Sequence, residues 1–178
     1  ITIMQGNLEG TIDGDYTADV ERLKSLYDET QILSRLVDDL RTLALAESGS
    51  LQLKQEPVDI GLLIREVVSA FESQAKEKNI CVELQLGNVD TIEIDPLRIR
   101  EVLSNVVANA VRYTPRGGEI KVGVTESAVP EKRSVTVFVQ DSGEGIQLED
   151  LSRIFDRFYK SSDSGGMGLG LSIAKYLG

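Results

Sequence analysis

Residues 105–115 read Asn-Val-Val-Ala-Asn-Ala-Val-Arg-Tyr-Thr-Pro and close a longer segment that begins at Pro96. The apolar positions of residues 96–113 recur at helical spacing, which predicts an amphipathic helix with Pro96 in its first turn. At ~100° per residue, four polar side chains fall in one narrow stripe beside the apolar face. These are Arg98, Asn105, Asn109 and Arg112. Two amides and two guanidinium groups at the edge of a buried face indicate a polar site.

This stripe suits a magnesium ion beside phosphate. The side-chain oxygen of Asn is a neutral ligand, and Mg²⁺ takes only one or two protein ligands and fills its remaining positions with phosphate oxygens and water. Asn105 and Asn109 are therefore candidate ligands, and Arg112 could pair with a phosphate. For this helix alone the alternative remains that both amides merely satisfy backbone groups in the core.

A second candidate site is the sequence Asp-Ser-Gly-Glu-Gly-Ile at residues 141–146, directly after a predicted apolar strand. Gly143 and Gly145 suit a ligand that must approach the backbone, because glycine has no side chain and can adopt positive φ. An ionised Asp141 accepts hydrogen bonds without donating, which fits an exocyclic amine such as that of adenine. An ordinary Asp-Gly turn is the alternative.

A third site is the run Gly-Gly-Met-Gly-Leu-Gly-Leu-Ser at residues 165–172, which leads into a predicted helix. Unpaired backbone N–H groups at a helix N-terminus favour phosphate. A dinucleotide-binding Rossmann motif is excluded, because a polar run at residues 160–164 stands where that motif needs a strand. A mobile lid over a nucleotide fits better.

A fourth segment, Ile-Phe-Asp-Arg-Phe-Tyr-Lys at residues 154–160, precedes this glycine-rich run. Its aromatic residues are expected to anchor the base of the lid in the core, and Arg157 and Lys160 could reach phosphates. A plain amphipathic helix end is the alternative.

The first 48 residues have a different character and read as helical throughout. An amphipathic piece over residues 1–12 and a break at 13–15 precede a helix over residues 18–47. Apolar and small residues recur on that helix in alternating steps of four and three, as in a heptad seam. Because a lone helical hairpin would leave this stripe bare, pairing with a second copy as a four-helix bundle is predicted. The alternative is packing against the chain's own second domain. The seam residues are Leu26, Thr30, Leu33, Val37, Leu40 and Ala44.

The rest of the chain alternates strands and helices, which predicts an α/β domain over residues 49–178. A polar, exposed loop is expected at residues 127–133, and Cys81 is expected to be a small core residue. The predicted strands are 51–58, 81–86, 91–94, 119–125 and 134–140, and the predicted helices are 60–78, 96–113, 148–159 and one from Gly168 onward.

Composition excludes several classes of function. The formal net charge of −10 over 178 residues repels nucleic acid. The chain has no histidine, so a metal would depend on side-chain oxygens. One cysteine allows no internal disulfide, which fits a reduced cytoplasmic setting. No stretch approaches the ~20 apolar residues of a membrane-spanning helix, and no signal peptide is visible.

The four segments, in this order, resemble the N, G1, F and G2 boxes of sensor histidine kinases of two-component systems. The resemblance implies an α+β fold: a helical hairpin that is half of a dimeric four-helix bundle, followed by an α/β two-layer sandwich of the Bergerat (GHKL) ATP-binding type. The hairpin would be residues 1–48, a dimerisation domain without its acceptor-histidine segment. Residues 49–178 would be the catalytic ATP-binding domain, incomplete at its C-terminus.

The resemblance also implies roles for individual residues. Asn109 would hold Mg²⁺ with help from Asn105, Asp141 would bind the adenine amine, and Asn105 and Arg112 would be the catalytic residues. ATP or ADP with Mg²⁺ would be the cofactors. Further nucleotide-contacting positions would be Tyr113, Gly143, Gly145, Ile146, Phe158, Lys160, Gly166, Gly168, Leu169, Gly170 and Leu171.

The family resemblance implies a kinase that transfers the γ-phosphoryl group of ATP to a histidine of a homodimer and then to an aspartate of a response-regulator receiver domain. The acceptor histidine would lie upstream of Ile1, and a closing hairpin would follow Gly178. This chain should therefore bind nucleotide without phosphorylating itself. It would lie in the cytoplasm, and any membrane anchor would come from upstream segments.

Two rival functions remain open at this point. One is another enzyme of the same ATP-binding fold, such as an anti-sigma-factor serine kinase or a gyrase-like ATPase, against which the heptad hairpin argues. The other is a non-catalytic scaffold that dimerises and holds ADP or nothing, which nucleotide affinity would distinguish from a kinase.

Overall fold

The computed structural model describes residues 20–87, 89–129, 132–159 and 168–177. The predicted short helix at residues 1–12 lies outside these ranges. In chain order the elements are α1 (Val20–Glu47), β1 (Glu56–Val58), α2 (Ile60–Ser69), α3 (Glu72–Glu77), β2 (Cys81–Leu86), β3 (Ile92–Ile94), α4 (Pro96–Tyr113), β4 (Glu119–Val129), β5 (Lys132–Asp141), α5 (Leu148–Leu151) and α6 (Gly170–Leu177).

The main sheet has three strands in the order β2-β4-β5, with β2 parallel and β5 antiparallel to the central strand β4. Its register aligns Leu84, Val122 and Val139 in one row. Because side chains alternate across a strand, such rows present one apolar face. Strands β1 and β3 form a separate antiparallel pair.

Helices α2 and α4 cover the apolar face of the sheet. Asp59 caps the start of helix α2, and its side chain accepts a hydrogen bond from the N–H of Leu62 (3.0 Å). Its apolar positions recur at helical spacing and turn one face toward the core. The fold class is thus an α+β chain with a two-layer sandwich, as predicted. The buried core residues are Ile60, Leu63, Ile64, Val67, Val68, Ala75, Ile80, Leu103, Val107, Ala110, Val111, Ile120, Val122 and Val124.

Helix α4 has the predicted bounds, 96–113. The Asp95 carboxylate accepts hydrogen bonds from the N–H groups of Leu97 and Arg98 (both 3.1 Å), and Pro96 follows in the first turn. The same carboxylate accepts a hydrogen bond from the N–H of Lys54 (2.9 Å) and so connects the segment between α1 and β1 to the start of α4.

The C-terminal part of α1 packs on the α/β domain. Leu43 is buried against Leu169 and Ile173 of the α6 region. The alternative of packing within the chain therefore holds for this end of the helix. Elsewhere on α1 the predicted heptad seam keeps exposed apolar side chains, with Val37 57% and Leu40 40% exposed. Within the described ranges, no helix is long and apolar enough to cross a bilayer.

Several predicted boundaries were wrong. The strand predicted at 51–58 is formed only by Glu56–Val58. The helix predicted at 60–78 breaks after Ser69, where the N–H groups of Ala70 and Phe71 bond to carbonyls only three residues back. This tightening ends the helix and lets the Phe71 side chain pack against the core.

The polar loop predicted at 127–133 is largely strand, because β4 and β5 continue and pair Ser127 with Ser134. The helix predicted at 148–159 is reduced to α5 followed by turns. Cys81 is exposed, and the prediction that it is a core residue was wrong. It stands on the outer side of β2, because Val82, Leu84 and Leu86 take the alternate positions that pack on the core.

Candidate functional site

Helix α4 carries the first group of predicted site residues along one side. Asn105 and Asn109 are half-buried, whereas Arg112 and Tyr113 are exposed at the C-terminal end. Two glycine contacts bring neighbouring segments onto this side of the helix, one at Gly170 and one at Gly143.

The Asn105 side chain packs against Gly170 at the start of α6. A Cβ atom at Gly170 would lie 2.9 Å from Asn105 Cγ and 3.1 Å from Asn105 Oδ1. Asn105 Nδ2 is the buried side-chain polar atom without a hydrogen-bond partner within the described residues. Because an unpaired buried donor costs ~1–3 kcal/mol, this amide fits a ligand oxygen such as one of a phosphate.

The loop after β5 lies against the end of α4. The N–H of Gly143 donates to Asp141 Oδ1 (2.8 Å), and a Cβ atom at Gly143 would lie 2.8 Å from the Tyr113 carbonyl oxygen. Ser142 fastens this loop to β4, since its Oγ accepts from the N–H of Glu119 (2.9 Å). Asp141 thus forms the Asp-Gly turn that was the alternative to a ligand site. Its carboxylate is nevertheless exposed and can still accept a hydrogen bond from a further donor.

Gly168 of the glycine-rich run is held by backbone contacts. The N–H of Phe158 donates to the carbonyl of Gly168 (2.9 Å). Gly168 has φ +72°, and a Cβ atom there would lie 2.6 Å from the Tyr159 carbonyl oxygen. Only glycine fits this conformation and this space. The predicted contacts Lys160 and Gly166 lie outside the described residues.

The side chains of Leu169 and Leu171 are unsuited to contact a polar phosphate. Leu169 is 1% exposed and packs on Leu43, and Leu171 is half-buried. These residues can offer backbone groups alone, as a glycine-rich phosphate loop requires. Gly145, with φ +76°, has open space at its Cα, and Ile146 beside it is half exposed.

The aromatic residues of 154–160 do not anchor this segment in the core. Phe155 is 42% exposed and Phe158 is 60% exposed. The guanidinium group of Arg157 forms an ion pair with Glu47 at the end of α1 rather than lying free for a phosphate. Tyr176 of α6 donates a long hydrogen bond to the same carboxylate (3.4 Å). The prediction that these aromatic residues are anchored in the core was wrong. Arg157 instead takes part in a contact between α1 and the α/β domain.

Reasoning from sequence missed two contacts of α4. Lys78 Nζ donates to the carbonyl oxygens of Val111, Arg112 and Thr114. Arg98, noted only as part of the polar stripe, donates to Thr42 of α1 (3.0 Å) and pairs with Glu101. No local pattern signals the contacts of Lys78 or the bond from Arg98 to Thr42, because these partners lie at least 33 residues away in the sequence.

Two titratable groups near the site have shifted pKa values. Burial raises the pKa of Asp95, but the N–H groups of Lys54, Arg98 and Leu97 outweigh it, and the pKa falls below its ordinary value. The hydrogen bond from Tyr159 to Asp150, with some desolvation, raises the pKa of the Tyr159 hydroxyl. The first group fixes the start of α4, and the second fixes the turns before residue 160.

Two shallow cavities in the described part of the chain lie away from this surface. One, of about 550 Å³, is between α3 and β2, and the other, of about 520 Å³, is between α1 and α4. Neither is lined by Asn105, Asn109, Arg112 or Asp141. The candidate site is therefore an open surface, since Arg112, Tyr113 and Asp141 are all exposed.

The chain matches a known protein family and resembles individual proteins of known name. The family model described as histidine kinase-, DNA gyrase B- and HSP90-like ATPase matches residues 94–177. The signal transduction histidine-protein kinase BaeS of Escherichia coli (strain K12) is 30% identical over 97% of the chain. The chain spans 37% of the length of that relative.

Solved structures extend the similarity to the whole chain. The Acinetobacter baumannii histidine kinase AdeS is 34% identical with a TM-score of 0.77, covering 99% of this chain and 81% of that one. Full-length ShkA in complex with AMPPNP is 29% identical with a TM-score of 0.76, covering 99% and 38%. Histidine kinase ThkA in complex with the response regulator TrrA is 29% identical with a TM-score of 0.66, covering 97% and 48%.

Proposed function

The chain belongs to the histidine kinase family, and from this premise we propose that it is a catalytic core that binds Mg-ATP for transfer of the γ-phosphoryl group to a histidine. The observation that carries the proposal is the cluster around α4. Asn105 with its unpaired buried donor faces Gly170, and the exposed Asp141 lies in the loop that abuts Tyr113.

The proposed roles follow the chemistry of each residue. Asp141 accepts a hydrogen bond from the adenine amine, and Tyr113 and Ile146 offer exposed apolar surface beside the base. Arg112 pairs with phosphate, and the backbone from Gly168 to Leu171 approaches the phosphate chain at the start of α6. Of the further proposed contacts, Gly143 and Gly145 lie in the Asp141 loop and Phe158 lies beside Gly168, whereas Lys160 and Gly166 fall outside the described residues.

Asn109, assisted by Asn105, would hold Mg²⁺. Amide oxygens beside phosphates fit a hard cation that keeps most of its shell from phosphate and water. When bound, the ion would neutralise charge on the transferring phosphoryl group. Catalysis by the chain's own residues is then positioning: Asn105 and Arg112 orient the phosphates for an in-line transfer.

The phosphoryl acceptor would be a histidine outside this sequence, which contains none. We propose a homodimer through α1, whose exposed seam includes Val37 and Leu40, and transfer onward to the aspartate of a response-regulator receiver domain. The structure of ThkA with its response regulator supports that partner by analogy. We further propose that the intact protein places this core in the cytoplasm, with any membrane anchor upstream.

Calorimetric titration of Mg-ADP into the chain and into Asp141→Asn tests the nucleotide site. We expect binding by the parent and loss of at least about tenfold in affinity in the variant, because Asn presents an amide donor toward the adenine amine. Asp28→Asn on α1 removes the same charge from an exposed position and should bind like the parent. Thermal melts would establish that all three proteins are folded.

The outcomes separate the rival functions. A folded parent that does not bind Mg-ADP would favour a non-catalytic scaffold over a kinase. Incorporation of γ-phosphate into this chain, which has no histidine, would contradict the proposed acceptor chemistry and favour a serine kinase of the same fold.

A further inference from the structure

Lys78 closes the C-terminal end of helix α4. It follows α3, and its Nζ donates to the carbonyl oxygens of Val111 (2.9 Å), Arg112 (2.7 Å) and Thr114 (3.2 Å). An ammonium group has three donors, so these three carbonyls use all of them.

These hydrogen bonds satisfy carbonyl groups that an α-helix leaves unpaired at its C-terminal end. The last carbonyl groups of an α-helix have no partner within the helix, and they carry the negative end of its dipole. Here Thr114 donates to the Ala110 carbonyl through both its N–H (3.0 Å) and its hydroxyl (2.6 Å). Lys78 donates to the next two carbonyls, those of Val111 and Arg112. A cation at this position is favourable for the dipole as well as for the hydrogen bonds.

The loop that follows α4 also donates hydrogen bonds back to the end of α3 and to Lys78. The N–H of Gly117 donates to the Lys78 carbonyl (3.0 Å), and Arg116 Nη2 donates to the Glu77 carbonyl (2.9 Å). Three residues after Lys78, β2 begins at Cys81 and pairs with β4 of the main sheet. The end of α4 is therefore fixed to the sheet through Lys78.

The residues at this end of α4 are those to which the proposed function assigns nucleotide contacts. The Tyr113 carbonyl lies where a Cβ atom at Gly143 would be only 2.8 Å away, so the helix end and the Asp141 loop leave no space between them. A shift of the last turn of α4 would move Arg112 and Tyr113 relative to Asp141. Geometry displaced by even ~1 Å is costly in a ligand site.

We propose that Lys78 is a positioning residue for the nucleotide: it holds the last turn of α4 so that Arg112 and Tyr113 keep their position beside the Asp141–Gly143 loop. This inference rests on the proposed function. The Lys78 ammonium group uses its three donors on backbone carbonyls, so it acts through the helix end that it binds.

The test compares Lys78→Met, which keeps the length and apolar stem but removes all donors, with Lys78→Arg, which keeps a cation and donors. Lys76→Met is the matched control, since Lys76 is exposed in the last turn of α3. Mg-ADP affinity is measured by calorimetry well below every melting midpoint, and melting curves are recorded for each protein.

We expect Lys78→Met to weaken Mg-ADP binding about five- to twentyfold, Lys78→Arg to recover most of that loss, and Lys76→Met to change affinity by less than about twofold. If Lys78→Met lowers the melting temperature but the folded variant binds Mg-ADP like the parent, Lys78 only stabilises the fold and the positioning role is overturned. A parent that binds no Mg-ADP overturns the proposed function itself, and this inference with it.

Discussion

The side-chain amide of Asn105 lies directly against the Cα atom of Gly170, where an added Cβ would be 2.9 Å from Asn105 Cγ. Helices α4 and α6 therefore meet at a point where one partner has no side chain and the other has a buried amide whose Nδ2 finds no hydrogen-bond partner in the described part of the chain. The close approach brings the start of the glycine-rich helix beside the polar stripe of α4.

Replacing Gly170 with Ala should displace the Asn105 side chain. The added methyl group is closer to Asn105 than real Cβ contacts allow, so we expect destabilisation of about 1–3 kcal/mol and weaker Mg-ADP binding. Chemical denaturation and calorimetry would measure the two effects. Gly87→Ala is the control, because its Cβ would meet only the Val124 carbonyl oxygen at 3.8 Å. Unchanged affinity in Gly170→Ala would show that Asn105 does not contribute to the site.

Asp95 should make the stability of the chain depend on pH. Its folded pKa is lowered by backbone N–H donors at the start of α4 despite the opposing effect of burial. A carboxyl group with a lowered folded pKa stabilises the fold fully above its unfolded pKa, and this contribution is lost as pH falls through the folded pKa, below about pH 4. Urea unfolding from neutral to acidic pH would follow this loss.

Two substitutions separate the charge of Asp95 from its capping role. Asp95→Asn keeps a side-chain acceptor but lacks the charge, so it should be less stable than the parent at neutral pH and approach the parent as the pH falls, with a reduced acid dependence. Asp95→Ala removes the cap and should cost about 0.5–2 kcal/mol at neutral pH. An acid transition in Asp95→Asn identical to that of the parent would assign the pH dependence to other carboxylates.

The exposed seam of α1 should be the surface that joins two copies of the chain. Val37 is 57% exposed on this seam, and a charge buried there against a second copy would be unpaired. Val37→Asp should therefore shift the protein from dimer to monomer in light scattering. Val20→Asp, at an 82% exposed position off the seam, should leave the mass unchanged. A monomeric parent at high concentration would contradict the dimer.

The ion pair between Glu47 and Arg157 should contribute modestly to holding α1 against the α/β domain. Both side chains are partly exposed, 29% and 47%, so a double-mutant cycle with Glu47→Gln and Arg157→Gln should give a coupling energy of about 0.2–1 kcal/mol. The coupling should shrink at high ionic strength because salt screens exposed charges. A coupling energy of zero at low salt would mean that the ion pair adds nothing to the contact made by Leu43, its apolar neighbours and the Arg98–Thr42 hydrogen bond.

Elements with strong local patterns were predictable. Helix α4 has a capping Asp95, a proline in its first turn and a continuous apolar face, and its bounds matched the prediction. Strand β2 alternates clearly, and its bounds matched as well. The face on which Cys81 lies was predicted wrongly, because this residue is apolar enough to suggest the core and yet occupies the outer face of the strand.

The sequence by itself determined the α+β class, helix α4 with its polar stripe and the glycine-rich segments, because periodicity, caps and glycine positions act over a few neighbouring residues. Tertiary structure alone decided that α2 ends at Ser69 with Phe71 packed against the core, that Arg157 pairs with Glu47 and that Lys78 binds the end of α4. These contacts join residues far apart in the chain, and burial and hydrogen-bond geometry select them only once the sheet and helices have packed.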